Sequence, residues 1–140
     1  MDTKKFLIGT IVGGIAYFLL GFICYALLLG DFFASHAGSA TGVSKMNEMQ
    51  YWPLFLGNVA HGALLSYIFL KWANIKTFSA GLSAGAVIGF FMTLGRNLIQ
   101  YDTSNVTDLT GALADVVVYA VISAIVGGVI GAVVGMGSKS

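Results

Sequence analysis

An all-α membrane protein with four transmembrane helices, packed as an antiparallel bundle with glycine-rich packing faces, is the fold this chain predicts. Three observations predict it. Apolar residues make up 57% of the 140 and charged residues only 9%, against roughly 25% charged in an ordinary soluble domain. The apolar residues fall into four uninterrupted runs of about twenty residues, the length an α-helix needs to cross a hydrocarbon core of about 30 Å. The runs also lack the alternation of a membrane β-strand, which leaves the helix as the way to satisfy main-chain groups in lipid.

The first run is Phe6 to Leu29. Lys4 and Lys5 before it imitate a secretory signal, but the run exceeds an h-region of about 7 to 15 residues, and three further runs follow. It is read as a permanent helix. Residues 30–52 form the one long connection, and Ser44 to Tyr51 within it fits a short interfacial helix or a solvated loop equally well. The second span, Pro53 to Leu70, opens on a proline at a first-turn position, where the missing N–H costs nothing. The third runs from about Thr77 to Ile99 and the fourth from about Leu109 to Met136. Short links make spans two, three and four antiparallel neighbours, and residues 1–140 a single integral membrane domain.

Charge sets the orientation and limits the partners. Lys4, Lys5, Lys71, Lys76 and Lys139 lie at one end of the spans and Lys45 and Arg96 at the other, which predicts both termini in the cytoplasm. Tyr51, Trp52 and Tyr101 suit one interface and Trp72 the opposite one. A net charge of +1 gives a nucleic acid nothing to hold. Cys24 is the only cysteine, so a disulfide framework and a thiolate metal site are excluded. Asn105-Val106-Thr107 matches a glycosylation sequon, but it sits so close to the membrane that it is read as chance.

Small residues recur at four-residue spacing in the spans. Gly9 and Gly13 mark the first, Gly81, Gly85 and Gly89 the third, and Ser123, Gly127, Gly131 and Gly135 the fourth. Such lines let helix backbones approach closely in lipid, where no hydrophobic drive holds helices together. Each line runs into hydrogen-bonding side chains. Helix one continues through Tyr17, Gly21 and Tyr25. Helix two carries Asn58, Gly62 and Ser66 with His61 beside them. Helix three reaches Thr93 and Asn97 next to Arg96, and helix four reaches Tyr119 and Asp115. Counted from the outer helix ends, Arg96 and Tyr25 lie ~6 Å deep, Asn58 ~7 to 8 Å, Asp115 ~9 Å and His61 ~12 Å. A lone charge at the bilayer centre costs at least ~2.5 to 3.5 kcal/mol, so Asp115 must face inward and find a partner. Arg96 is the only embedded cation. An Arg96–Asp115 ion pair is therefore expected, with Tyr25, Asn58, His61, Asn97 and Tyr119 available for the remaining donors and acceptors. The cluster reads either as a polar lock that fixes helix register or as an outward-facing site for a proton, ion, anion or lipid headgroup.

The run Gly21-Phe22-Ile23-Cys24-Tyr25-Ala26-Leu27-Leu28-Leu29-Gly30-Asp31-Phe32-Phe33, with the Gly-rich third helix and the Tyr-containing, Gly-rich fourth, resembles the DUF1761 family of small bacterial membrane proteins. It departs at Cys24, where that pattern has tryptophan, and at Leu29, where it has an aromatic. The resemblance implies four helices and a bacterial inner membrane, and no catalytic residue comes with it. Small multidrug transporters fit less well because helix one holds no acid, and Gly95-Arg96-Asn97 does not reproduce the Glu-Arg signature of membrane glutathione transferases. A zinc motif, a phosphate-binding glycine loop and a nucleophile elbow are all missing, so no metal, cofactor or catalytic residue is expected. The residues support a small accessory or structural membrane protein first, and a minor transporter or channel for a proton, ion or small polar solute second. The lipid bilayer is the certain partner; a homo-oligomer and a membrane partner subunit are both left open.

Overall fold

The computed structural model describes residues 2–39, 41 and 50–136. Helix α1 (Thr3–Gly21) starts where the Asp2 side chain accepts the Lys5 amide at 3.2 Å, and it continues into a wider π-helical segment, Phe22–Leu28. A short helix α2 (Gly30–Ser35) follows. Helix α3 (Trp52–Tyr67) has Pro53 in its first turn and also ends in a π-helical segment, Ile68–Ala73, closed by Asn74 in the left-handed conformation at φ 52°. Helix α4 (Phe78–Thr103) is capped by the Thr77 hydroxyl on the Ala80 amide, and α5 (Leu109–Gly135) by Asp108 on the Gly111 amide. Four stretches are thus long and apolar enough to cross a membrane: Thr3–Leu28, Trp52–Ala73, Phe78–Thr103 and Leu109–Gly135.

The boundaries differ from the expected 6–29, 53–70, 77–99 and 109–136 at identifiable places. Helix α4 runs past Ile99 to Thr103 because Thr103 and Ser104 return their hydroxyls to the carbonyls of Ile99 and Gln100, at 2.7 and 2.8 Å, and so satisfy its last turn. Helix α1 begins earlier because of its aspartate cap. The long connection contains a helix at Gly30–Ser35, while the interfacial helix considered over Ser44 to Tyr51 falls mainly outside the described residues.

Packing follows side-chain size more than chain order. Helix α4 lies along α5, where a Cβ on Gly81, Gly85 or Gly131 would collide with the carbonyl oxygen of Gly127, Ser123 or Thr77 respectively. Helix α1 lies along α3 in the same manner. A Cβ on Gly14 would stand 2.7 Å from the Val59 Cα, and one on Gly62 would stand 2.6 Å from the Gly14 nitrogen. Helix α5 also packs on α1, joining the two pairs. Spans two and three hardly meet, although their link is short; a short link makes them antiparallel but does not supply a matching face.

The core lies at the end of the bundle that holds both termini and at mid-height. Phe69, Leu65, Ile130, Val126, Val134, Ile122 and Tyr17 form it. Large apolar residues occupy the opposite faces: Leu7, Ile11, Ile15 and Leu19 on α1, and Leu113, Val117, Val121 and Ile125 on α5. In water these rows would form an adhesive patch. In a bilayer they face lipid, which agrees with a multi-pass membrane protein.

Candidate functional site

The far end of the bundle, opposite the termini, brings Arg96 and Asp115 together. Asp115 stands in the second turn of α5, held there by the Asp108 cap below it in sequence. One carboxylate oxygen accepts the Tyr25 hydroxyl at 2.5 Å, and the other accepts Asn97 Nδ2 at 2.7 Å and Arg96 Nη2 at 3.1 Å. Each donor is itself positioned. Tyr25 rises from the π-helical segment, with the Phe33 ring of α2 at 5.4 Å. Asn97 is buried and gives a second hydrogen bond to the Thr93 carbonyl at 2.9 Å. The two charges differ in exposure: the Asp115 side chain is 16% exposed and that of Arg96 60%. The acid faces the protein and the base faces out.

A second network sits one level deeper. Tyr119 Oη lies 2.6 Å from His61 Nδ1, with the tautomer deciding which atom donates, and Tyr17 Oη lies 2.8 Å from the Ser123 hydroxyl. The Tyr17 and Tyr119 rings stack at 5.7 Å with 14° between their planes, and His61 meets Tyr17 edge-on. Of the residues expected to serve Asp115, the structure brings Tyr25, Asn97 and Arg96 to it. His61 and Tyr119 bond each other instead, and Asn58 donates to the Leu54 carbonyl of its own helix at 2.7 Å. Tyr17 and Ser123 belong to the network although they were not among the candidates. The signal for both was present, since they stand on the same four-residue lines as Gly13 and Gly127.

Between these groups lies a partly enclosed cavity of about 330 Å³. Arg96, Asp115 and Tyr25 edge it at the far end, and Asn58, between Phe55 beside Phe18 and Val59 beside Gly14, borders its inner part. Phe18, Phe22, Leu54 and Ile122 line it as apolar wall, together with Tyr17 and Tyr119. The hydroxyls of those two tyrosines are committed to Ser123 and His61, neither of which lines the cavity, so chiefly ring surface is offered there. Gly21 also borders it, and a Cβ at Gly21 would meet nothing within 4 Å. A separate gap between α3 and α4, lined by His61, Ile88 and Met92 among others, holds about 10 Å³, room for about one water. Tyr17 and Ile122 line the cavity at its inner end, its floor.

Above the site, the segment after α2 is tied to the α4–α5 loop. His36 Nδ1 lies 2.9 Å from Asp108 Oδ2, and the Asp108 amide donates to the His36 carbonyl at 2.9 Å. The Gly111 amide on Asp108, and after it the His36 ring, hold this carboxyl below the usual aspartate range. No group of three or more His, Cys, Asp or Glu side chains among the described residues is placed to hold a metal ion.

Neither a family model, nor a curated protein, nor a solved structure matches this chain.

Proposed function

We propose that this protein binds a small molecule within the membrane, in the cavity edged by Arg96 and Asp115, as a minor transporter or carrier does. One observation carries the reading: a cavity of about 330 Å³ with apolar walls reaches an ion pair at one end. Ligand sites are commonly concave, mainly apolar and furnished with a few convergent polar groups, in volumes of about 300 to 1,000 Å³. A face of small residues left for another subunit, which an accessory protein would need, is not supported at Gly81, Gly85 and Gly89, because all three are buried against α5.

The lysine distribution, with Lys4, Lys5, Lys71 and Lys76 near the end that holds both termini, supports a cytoplasmic location for that end and an outward-facing cavity. Membership of the DUF1761 family and a bacterial inner membrane remain part of this proposal, resting on the motif around Tyr25. A second reading, a polar lock inside an accessory protein, is favoured by the three donors that satisfy Asp115.

Thiol accessibility separates the two. With Cys24 replaced by serine, single cysteines at Gly21, Asn58 and Val126 are treated with N-ethylmaleimide in intact membranes. A binding cavity is expected to leave Gly21→Cys and Asn58→Cys reactive and Val126→Cys, at 0% exposure, protected. If all three stay unmodified the cavity is dry and the lock reading stands.

A further inference from the structure

The polarity of the cavity changes along its length. Its lining on the first span runs from Ala26 down to Tyr17, roughly 13 Å at the helical rise, close to the ~15 Å depth of one leaflet. Charged side chains edge only the outer part of that length. Below Tyr25, the walls are mainly the rings of Phe22, Phe18, Tyr17 and Tyr119 and the side chain of Ile122, with the uncharged Asn58 amide among them. A pocket as deep as a leaflet, charged at the surface end and mainly apolar beneath, has the profile of a single-chain amphiphile standing upright.

The sign of the head follows from how the ion pair is shared. Asp115 is turned inward, and both of its oxygens already accept hydrogen bonds. Arg96 is turned outward, and one of its five N–H groups is used, on Asp115. A head entering from the surface therefore meets open guanidinium donors and a carboxylate that three donors already serve. Asn58, deeper in, spends one N–H on the Leu54 carbonyl and keeps its second N–H and its oxygen, an uncharged amide that favours neither sign of head. An ammonium head would face the exposed Arg96 charge and compete with three donors for the inward-turned carboxylate. A carboxylate or phosphate would gain charge-assisted, two-pronged hydrogen bonds from Arg96.

We infer that the cavity takes a single-chain amphiphile with an anionic head, carboxylate or phosphate, seated on Arg96, with its chain lying along Phe22 and Phe18 toward Tyr17. This rests on the reading of the cavity as a binding site, and adds to it the charge of the head and the presence of a chain. Arg96 supplies the selectivity, while Gly21 keeps the chain's path clear.

Photolabelling of the whole protein in phosphatidylcholine nanodiscs tests it. The probes are dodecanoate carrying a terminal diazirine and two analogues with the same chain and diazirine, one with an alcohol head and one with a trimethylammonium head. Dodecanoate is expected to label residues at the cavity floor, around Tyr17 and Ile122, about tenfold more than either analogue. Dodecyl phosphate should compete and inorganic phosphate should not. Arg96→Gln, at a largely exposed side chain, should erase the preference for the anion, and Gly21→Leu should abolish floor labelling. Gly95→Ala, whose Cβ enters open space, should change nothing. Equal floor labelling by all three heads overturns the anionic assignment and leaves the cavity as a binding site. Competition by inorganic phosphate as strong as by dodecyl phosphate overturns the chain. Labelling elsewhere on the protein, or labelling that Gly21→Leu leaves intact, overturns this inference and the binding reading together.

Discussion

The α4–α5 seam and the corner where α1, α3 and α5 surround the cavity use the same letters to opposite ends. In the seam, Gly81, Gly85 and Gly131 each face a main-chain oxygen that a methyl group would strike. In the corner, Gly21 faces empty space. The four-residue spacing is identical. A missing side chain thus brings two helices together only where a second backbone is present to advance, and otherwise it leaves a hole. Lipid makes the distinction sharper than water does, because packing contacts rather than apolar burial hold the helices to each other.

That contrast is broken most directly by adding a side chain on each side of it. Gly85→Leu must drive α4 away from Ser123, and overpacking of this kind is expected to cost about 3 kcal/mol or more. Gly21→Leu should leave stability within about 0.5 kcal/mol, both being measured by denaturant titration in mixed micelles. Equal losses would mean that the corner is as tightly closed as the seam. A finer comparison sets Tyr25→Phe against Tyr17→Phe. Each removes one interhelical hydrogen bond, worth about 0.6 to 1.7 kcal/mol in membrane bundles. Tyr17→Phe strands Ser123 at 0% exposure and should be the costlier. Tyr25→Phe leaves Asp115 two other donors, and by the same titration should fall at the low end of that range.

The smallest effect concerns the clasp over the site. The Asp108 carboxyl is held below its usual value by the Gly111 amide and the His36 ring. A group depressed on folding adds stability above its unfolded value and loses it as pH falls through the folded one. The helix cap should accordingly persist to pH values below the ordinary aspartate range and fail beneath that. Carboxyl carbon shifts of Asp108, followed by NMR over an acid titration, check this, and a midpoint at or above the free-aspartate value would contradict the geometry.

Much of the architecture was readable because lipid leaves few choices. Span lengths follow from bilayer thickness, and the Arg96–Asp115 pair follows from the cost of leaving either charge alone. Tyr25 and Asn97 could be nominated as partners because they end the same small-residue lines. The apportioning of partners could not be read. Whether Tyr119 turns to Asp115 or His61 depends on rotations of a few tens of degrees that composition does not encode. Phe18, Phe22, Leu54 and Ile122 look like any lipid-facing residues until three helices are seen to stop short of one another. His36 and Asp108, separated by 72 positions, carry no pattern linking them. The expected contact between spans two and three failed for the same reason: link length constrains direction, whereas contact needs a complementary surface.

The wide turn at Phe22–Leu28 gains a meaning from the line below it. At 3.6 residues per turn, residues four apart overshoot a full rotation by about 40°, so a row that begins at Gly9 precesses steadily around its helix. By Tyr25 an unbroken α-helix would have swung the row well away from its starting neighbour. A segment closing its hydrogen bonds over five residues, as the Leu29 amide does on Cys24, advances less per residue and drifts the other way. The π-turn thus resets the phase of the helix, letting a hydroxyl at the top address the same partner, α5, that the tyrosine two steps beneath it already touches.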